Sequence, residues 1–185
     1  MLKSLTQLTA LAAAAMLMVF PLASLATQVQ VSEFALTLNF PASLDVFTRD
    51  MPENDPVLAL YGKSAGEVSR ELADEGLYAR AKDISGDYTV SLSVKNRNGQ
   101  GFGRMDETAL ESAAQGFGGS RYEVISSPQG AFLLVYGDSL SKLICLFQGD
   151  GLLYELRLET ENKVNDAMVS ILKAIAGSAD FGLGQ

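Results

Sequence analysis

The chain has 185 residues, 48% hydrophobic and 19% charged, a globular balance that excludes fibrous and disordered classes. Its 22 acidic against 14 basic residues give a formal charge of −8, which disfavours nucleic acid and anionic lipid surfaces as partners. Histidine is absent and cysteine occurs once. Imidazole catalysis and an internal disulfide are therefore excluded, and zinc-type clusters are disfavoured.

The amino end reads as a secretory signal. Lys3 is the only charge before Glu33, residues 10–20 form an unbroken apolar run closed by Pro21, and Ala23-Ser24-Leu25-Ala26 follows. A positive start, an apolar centre and small residues at alternate positions before a cut suit signal peptidase. The predicted organisation is a signal peptide over residues 1–26 and a single α+β domain over 27–185, secreted or at the cell surface. An uncleaved membrane anchor is the rival reading. The run before Pro21 falls short of the ~20 residues of a spanning helix, although extension to Ala26 approaches that length. No cysteine lies near the cut to carry a lipid. Loss of Lys3 with the signal takes the formal charge from −8 to about −9.

From residue 34, Phe34, Leu36, Leu38 and Phe40 alternate with Ala35, Thr37 and Asn39, which predicts a half-buried strand ended by Pro41. A short strand over 45–48 follows, then a polar, proline-bounded loop over 49–56. Ser64 and Glu67 have capping-box spacing for a first helix carrying Val68 and Leu72, with Gly76 in the left-handed position after it. Strands are predicted over 77–82 and 88–94, the second with Tyr88, Val90, Leu92 and Val94 on its apolar face. After a glycine turn over 98–103, Asp106 caps a second helix whose stripe is Leu110, Ala113, Ala114 and Phe117.

Four strand-like runs follow, at 122–126, 131–136, 142–148 and 152–159. Turns this short force antiparallel neighbours. The runs 131–136 and 143–147 are apolar at both parities and read as central strands covered on both faces. In the last run Leu152, Tyr154, Leu156 and Leu158 face the core while Glu155, Arg157 and Glu159 face out. A third helix is expected over 161–176, docked through Val164, Ala167, Met168, Ile171, Leu172 and Ile175, followed by a small, flexible tail from about residue 177 with its Phe181 tucked back. The fold class is α+β: a meander-rich antiparallel sheet of six to seven strands with about three helices packed on it.

Several stretches look like chemistry. Gly137-Asp138-Ser139-Leu140 spells the tetrapeptide of a lipase and esterase family, but no histidine exists to take the serine proton, and Gly-Asp-Ser between strands is ordinary turn chemistry. Ser139 and Lys142 fit Ser-x-x-Lys, yet three residues apart on a strand they point to opposite faces. Gly99, Gly101 and Gly103 lack the spacing of a dinucleotide fingerprint, and Asp106 occupies the helix start where a pyrophosphate would bind. Asp50, Glu53, Asn54 and Asp55 gather hard oxygens in one loop that calcium would accept, although the glycine-punctuated ladder of an EF-hand is missing; a solvated proline loop is the other reading. Cys145 shares a face with Leu143 and Phe147 and reads as a small buried thiol. No spacing singles out a pair among the 22 acids for glycoside chemistry.

The opening Phe34-Ala35-Leu36-Thr37-Leu38-Asn39-Phe40-Pro41, followed by Leu44-Asp45-Val46-Phe47, and the order of elements after it resemble the PsbP/Mog1/DcrB-like group of small domains. They also resemble exported proteins of Gram-positive bacteria. The resemblance implies a non-enzymatic accessory, adaptor or envelope protein and supplies no catalytic residues. The expected function is a non-catalytic exported accessory or binding module of the cell envelope or extracellular space. An Asp/Glu-dependent hydrolase and a carrier of a small apolar ligand are the alternatives. No cofactor is expected. The partner stays open between a protein and a cell-envelope component, with no nucleic acid, and with a membrane only if the signal is uncleaved.

Overall fold

The computed structural model of the protein describes residues 26–96, 101–128, 130–149 and 151–182. The expected signal segment up to residue 25, residues 98–100 of the glycine turn, and positions 129 and 150 of two hairpin turns lie outside the described residues. Seven strands form one antiparallel sheet: β3 (Leu44–Thr48), β4 (Ala79–Asp83), β5 (Tyr88–Asn96), β6 (Arg121–Ser127), β7 (Gly130–Tyr136), β8 (Lys142–Gly149) and β9 (Leu152–Thr160). Their order is β3-β4-β5-β9-β8-β7-β6. The meander β3–β5 and the meander β6–β9 thus join edge to edge, through nine β5–β9 partners from Tyr88↔Thr160 to Asn96↔Leu152.

A separate two-stranded sheet pairs β1 (Thr27–Val31) with β2 (Leu36–Phe40). The expected strand over 34–40 is shorter than its pattern. Ser32–Phe34 makes one 3-10 turn and Ala35 takes φ 49°, a left-handed hairpin conformation that frees Phe34 to meet the Tyr78 ring edge-on at 4.8 Å. Strand β1 itself was not predicted, although its Val29 and Val31 are buried at strand spacing.

Four helices pack on the sheet among the described residues. Helix α2 (Ala65–Asp74) has the predicted capping box, with Val68 and Leu72 buried, and Gly76 follows at φ +70°. Helix α3 (Glu107–Gly116) starts on Asp106, whose carboxylate accepts from the Ala109 amide at 2.8 Å. The additional helix α1 (Pro56–Tyr61) begins where the proline loop was expected to end, with Asp55 as N-cap and Pro56 in the first turn, where a missing N–H costs nothing. Helix α4 (Asp166–Gly177) starts five residues later than expected. Asn165 caps it, accepting from the Met168 amide at 3.0 Å, and Ala167 is exposed while Met168, Leu172, Ile175 and Ala176 are buried. Complete burial of Leu172 stabilises by about 2 kcal/mol.

The two faces of the sheet are dressed differently. On one, the β1–β2 hairpin (Leu36, Leu38, Phe40) and α4 cover Val90, Leu92, Leu134, Cys145, Leu156 and Leu158 in one continuous core. On the other, two separate patches form. Helices α1 and α2 close over Phe47 near β3, and α3 with Phe102 closes over Leu133, Val135, Ile144 and Leu146. Strands β7 and β8 are therefore covered on both faces, as their unbroken apolar runs predicted. Residues expected as the start of a flexible tail are packed: Ala179 is buried, Asp180 bridges to Thr37, and the Phe181 ring lies 5.4 Å from Tyr154.

Candidate functional site

Between the two helix-covered patches lies a strip of sheet that no described helix covers. Its floor is the outward face of β4, β5 and β9, where strand alternation places Arg80 and Lys82, Thr89, Ser91 and Ser93, and Glu155, Arg157 and Glu159 side by side. One wall is the end of α2, with Glu75, Gly76 and Leu77. On the α3 side stands Phe117, whose ring carries the Lys95 ammonium at 5.3 Å. The trough holds about 620 Å³, within the roughly 300–1,000 Å³ range of small-molecule sites.

Antiparallel register sorts the floor into rows. Asp45, Lys82, Thr89, Glu159 and Lys142 share one row; Phe47, Arg80, Ser91, Arg157 and Ile144 share the next; Ser93, Glu155 and Leu146 form a third. Glu155, expected to face water, is only 2% exposed. Arg157 donates from Nε to its Oε1 at 2.9 Å and Lys95 donates from Nζ to its Oε2 at 2.9 Å. A buried carboxylate is tolerated because cations occupy both of its oxygens. Glu159 pairs with Lys142 at 3.5 Å and Arg80 with Glu75, while Lys82 stands over the rings of Tyr61 (5.2 Å) and Phe47 (5.8 Å).

The residues singled out from sequence sit elsewhere and do not converge. Asp50 accepts from the Ser32 hydroxyl at 2.6 Å, Glu53 from the Ala65 amide at 3.0 Å, and Asp55 from the Val57 amide at 2.9 Å; Asn54 is exposed. Three of the four oxygen donors in that loop are thus taken by hairpin and helix-start hydrogens. Among the described residues, no group of three or more His, Cys, Asp or Glu is placed to hold a metal ion. Gly137-Asp138-Ser139-Leu140 is a turn between β7 and β8. Asp138 accepts from the Ser120 amide and hydroxyl at 3.2 and 3.0 Å, and Ser139 meets the Ser141 hydroxyl at 3.0 Å. Lys142 reaches Glu159 rather than Ser139. Cys145 is fully buried, and burial pushes its thiol up to about 12.

Fold and site together define an α+β domain with one fully covered sheet face and a polar trough on the other. No family model matches the chain, and no curated protein matches it significantly. Among solved structures it is similar to the solution structure of cyanobacterial PsbP (CyanoP) from Synechocystis sp. PCC 6803. The two are 11% identical with a TM-score of 0.48, covering 84% of this chain and 92% of that one. That protein carries the PsbP name of the group the sequence resembles.

Proposed function

We propose that the protein is a non-catalytic binding module, exported to the cell envelope or extracellular space, whose working surface is the trough on β4, β5 and β9. One observation carries this reading. The sheet is buried on both faces along β7 and β8, yet beside them it leaves one polar strip uncovered between two helical patches. A strip of hydroxyl, guanidinium and carboxylate groups on rigid strands is a recognition surface by its chemistry. The export part rests on the signal pattern of residues 1–26.

The alternatives have less support. A carboxylate-pair hydrolase needs two acids roughly 5–9.5 Å apart across a cleft. Glu155 and Glu159 stand four residues apart on β9, about 13 Å along the strand. A carrier of apolar ligands needs an enclosed apolar cavity. The hollow between α2 and the sheet, lined by Phe47, Val68 and Leu72, holds about 20 Å³, room for a water, and the open hollow of about 300 Å³ beside the start of α4 is lined by Arg121, Asp138, Lys142 and Asp166 as well as by Leu140 and Val164.

Protein recovered outside the cytoplasm tests both parts. Its intact mass should correspond to a chain beginning at Thr27. In amide-resolved NMR titrations with neutral, acidic and basic oligosaccharides and peptides, the shifts caused by any binder should cluster on β4, β5 and β9. A binder that maps to another surface would overturn the trough assignment. Turnover of any panel member that disappears in folded Glu159→Gln would overturn the non-catalytic reading.

A further inference from the structure

The trough differs in charge from the molecule around it. The chain carries −8, whereas the trough lining sets Arg80, Lys82, Lys95 and Arg157 against Glu75, Glu155 and Glu159, an excess of one positive charge. In the central row Arg80 and Arg157 flank Ser91, and that row contains no carboxylate. The two arginines are two strands apart, about 10 Å between their backbones, a span that both side chains can close over Ser91 once Arg80 turns from Glu75. Lys82 and Thr89 border the same spot from the next row.

We propose that Arg80, Ser91 and Arg157 form a binding site for a tetrahedral oxyanion, a phosphate or sulfate group carried by the ligand of this trough. The proposal rests on the trough being the binding surface. Arginine N–H groups approach from β4 and β9, and the Ser91 hydroxyl on the floor, which rests against the Arg157 carbonyl at 3.5 Å, turns to donate to the anion. Four tetrahedral oxygens accept from all three directions at once, whereas a planar carboxylate is satisfied by one arginine fork. Arg157 is held for the task. Its Nε and Nη2 are bound to buried Glu155, which fixes the guanidinium plane, and its Nη1 takes no part in that contact. Arg80 is tied only to Glu75, whose side chain is half exposed. A pair this open to water is weak, so an incoming dianion can displace it.

The test is titration of the folded protein with inorganic phosphate, sulfate, glycerol phosphate and acetate at constant ionic strength, followed by calorimetry and amide shifts. Phosphate and sulfate are expected to bind saturably with shifts on β4, β5 and β9, and acetate at least tenfold more weakly. Arg80→Gln should weaken phosphate binding about tenfold, the usual size of one charge-assisted hydrogen bond. Ser91→Ala serves as a second, structurally mild variant and should weaken it severalfold. Tighter binding of glycerol phosphate than of the free ion would support an ester ligand; equal binding would support the free ion, and either sustains the site. Equal affinities for acetate and phosphate, phosphate shifts confined to another surface, or an unchanged affinity in both folded variants would overturn it. If the anions fail while a neutral sugar or peptide shifts the β4, β5 and β9 amides, the oxyanion site falls and the binding-module reading stands.

Discussion

Cys145 illustrates how a single residue's fate follows from its neighbours. It lies on the covered face of β8, opposite Leu134 on β7 and Leu156 on β9, and is fully buried. Burial disfavours the thiolate, and Lys173 offsets this only in part, which is why its pKa stands near 12. In the native protein a disulfide reagent at pH 8 should leave Cys145 unlabelled, and labelling should rise only along the denaturant unfolding curve. Stoichiometric labelling before any loss of far-UV signal would contradict this burial. Residues of this kind were legible in the sequence, because a run apolar at both parities has no wet face. Glu155 was not. Alternation placed it correctly on the outward face of β9, but strand period says nothing about what lies above a face. The carboxylate is buried because Lys95 arrives from β5 and Arg157 from two residues along, a relation set by the β5–β9 register across a separation of 60 residues. Trough residues escaped notice for the same reason: Ser91 and Arg157 read as ordinary solvent positions until the gap between helices is seen.

Elements were legible where their ends are chemically marked. The Ser64–Glu67 capping box is present in full, with the Ser64 amide donating to Glu67 at 2.8 Å and the Glu67 amide to Ser64 at 3.3 Å. The start of α4 was misread because Val164 continues the apolar spacing backwards, whereas the backbone follows the cap. Asn165 is extended at φ −113°, and the Val164 amide is spent on the Leu140 carbonyl at 2.9 Å, outside the helix. Asn165→Ala should therefore destabilise the protein by about 1 kcal/mol, seen as a lower urea midpoint at unchanged slope. An unchanged midpoint would mean that water replaces the cap at no cost. Helix α1 and strand β1 were missed for a different reason. Each is short, and tertiary burial of Leu58 in one and of Val29 and Val31 in the other supplies what local pattern does not.

At the scale of the whole molecule, the covered face depends on the β1–β2 hairpin staying seated, and Asp50 is one of its fasteners. Its Oδ2 accepts from the Ser32 hydroxyl in the turn between β1 and β2, which ties the hairpin to the loop after β3. Partial burial raises the Asp50 pKa, but hydrogen bonds from the Ser32 and Thr48 hydroxyls and from the Asp50 and Ser32 amides outweigh it, leaving the carboxyl below its ordinary value. A carboxyl depressed in the folded state contributes stability that is fully present above its unfolded pKa, near pH 4, and is lost as pH falls through the lower folded value. Glu67 is shifted the same way, by the Ser64 amide first and then its hydroxyl, so acid sensitivity of the wild type alone does not identify Asp50. Comparison with Asp50→Asn does. The wild type should melt higher than the variant at pH 7, and the gap should narrow as pH falls from about 5 to below 3, because protonation removes from the wild type what the substitution has already removed. A gap of constant size across that range would show that the Asp50 charge contributes nothing to holding the hairpin, and that apolar contact of Leu36, Leu38 and Phe40 with the sheet and α4 seats it unaided.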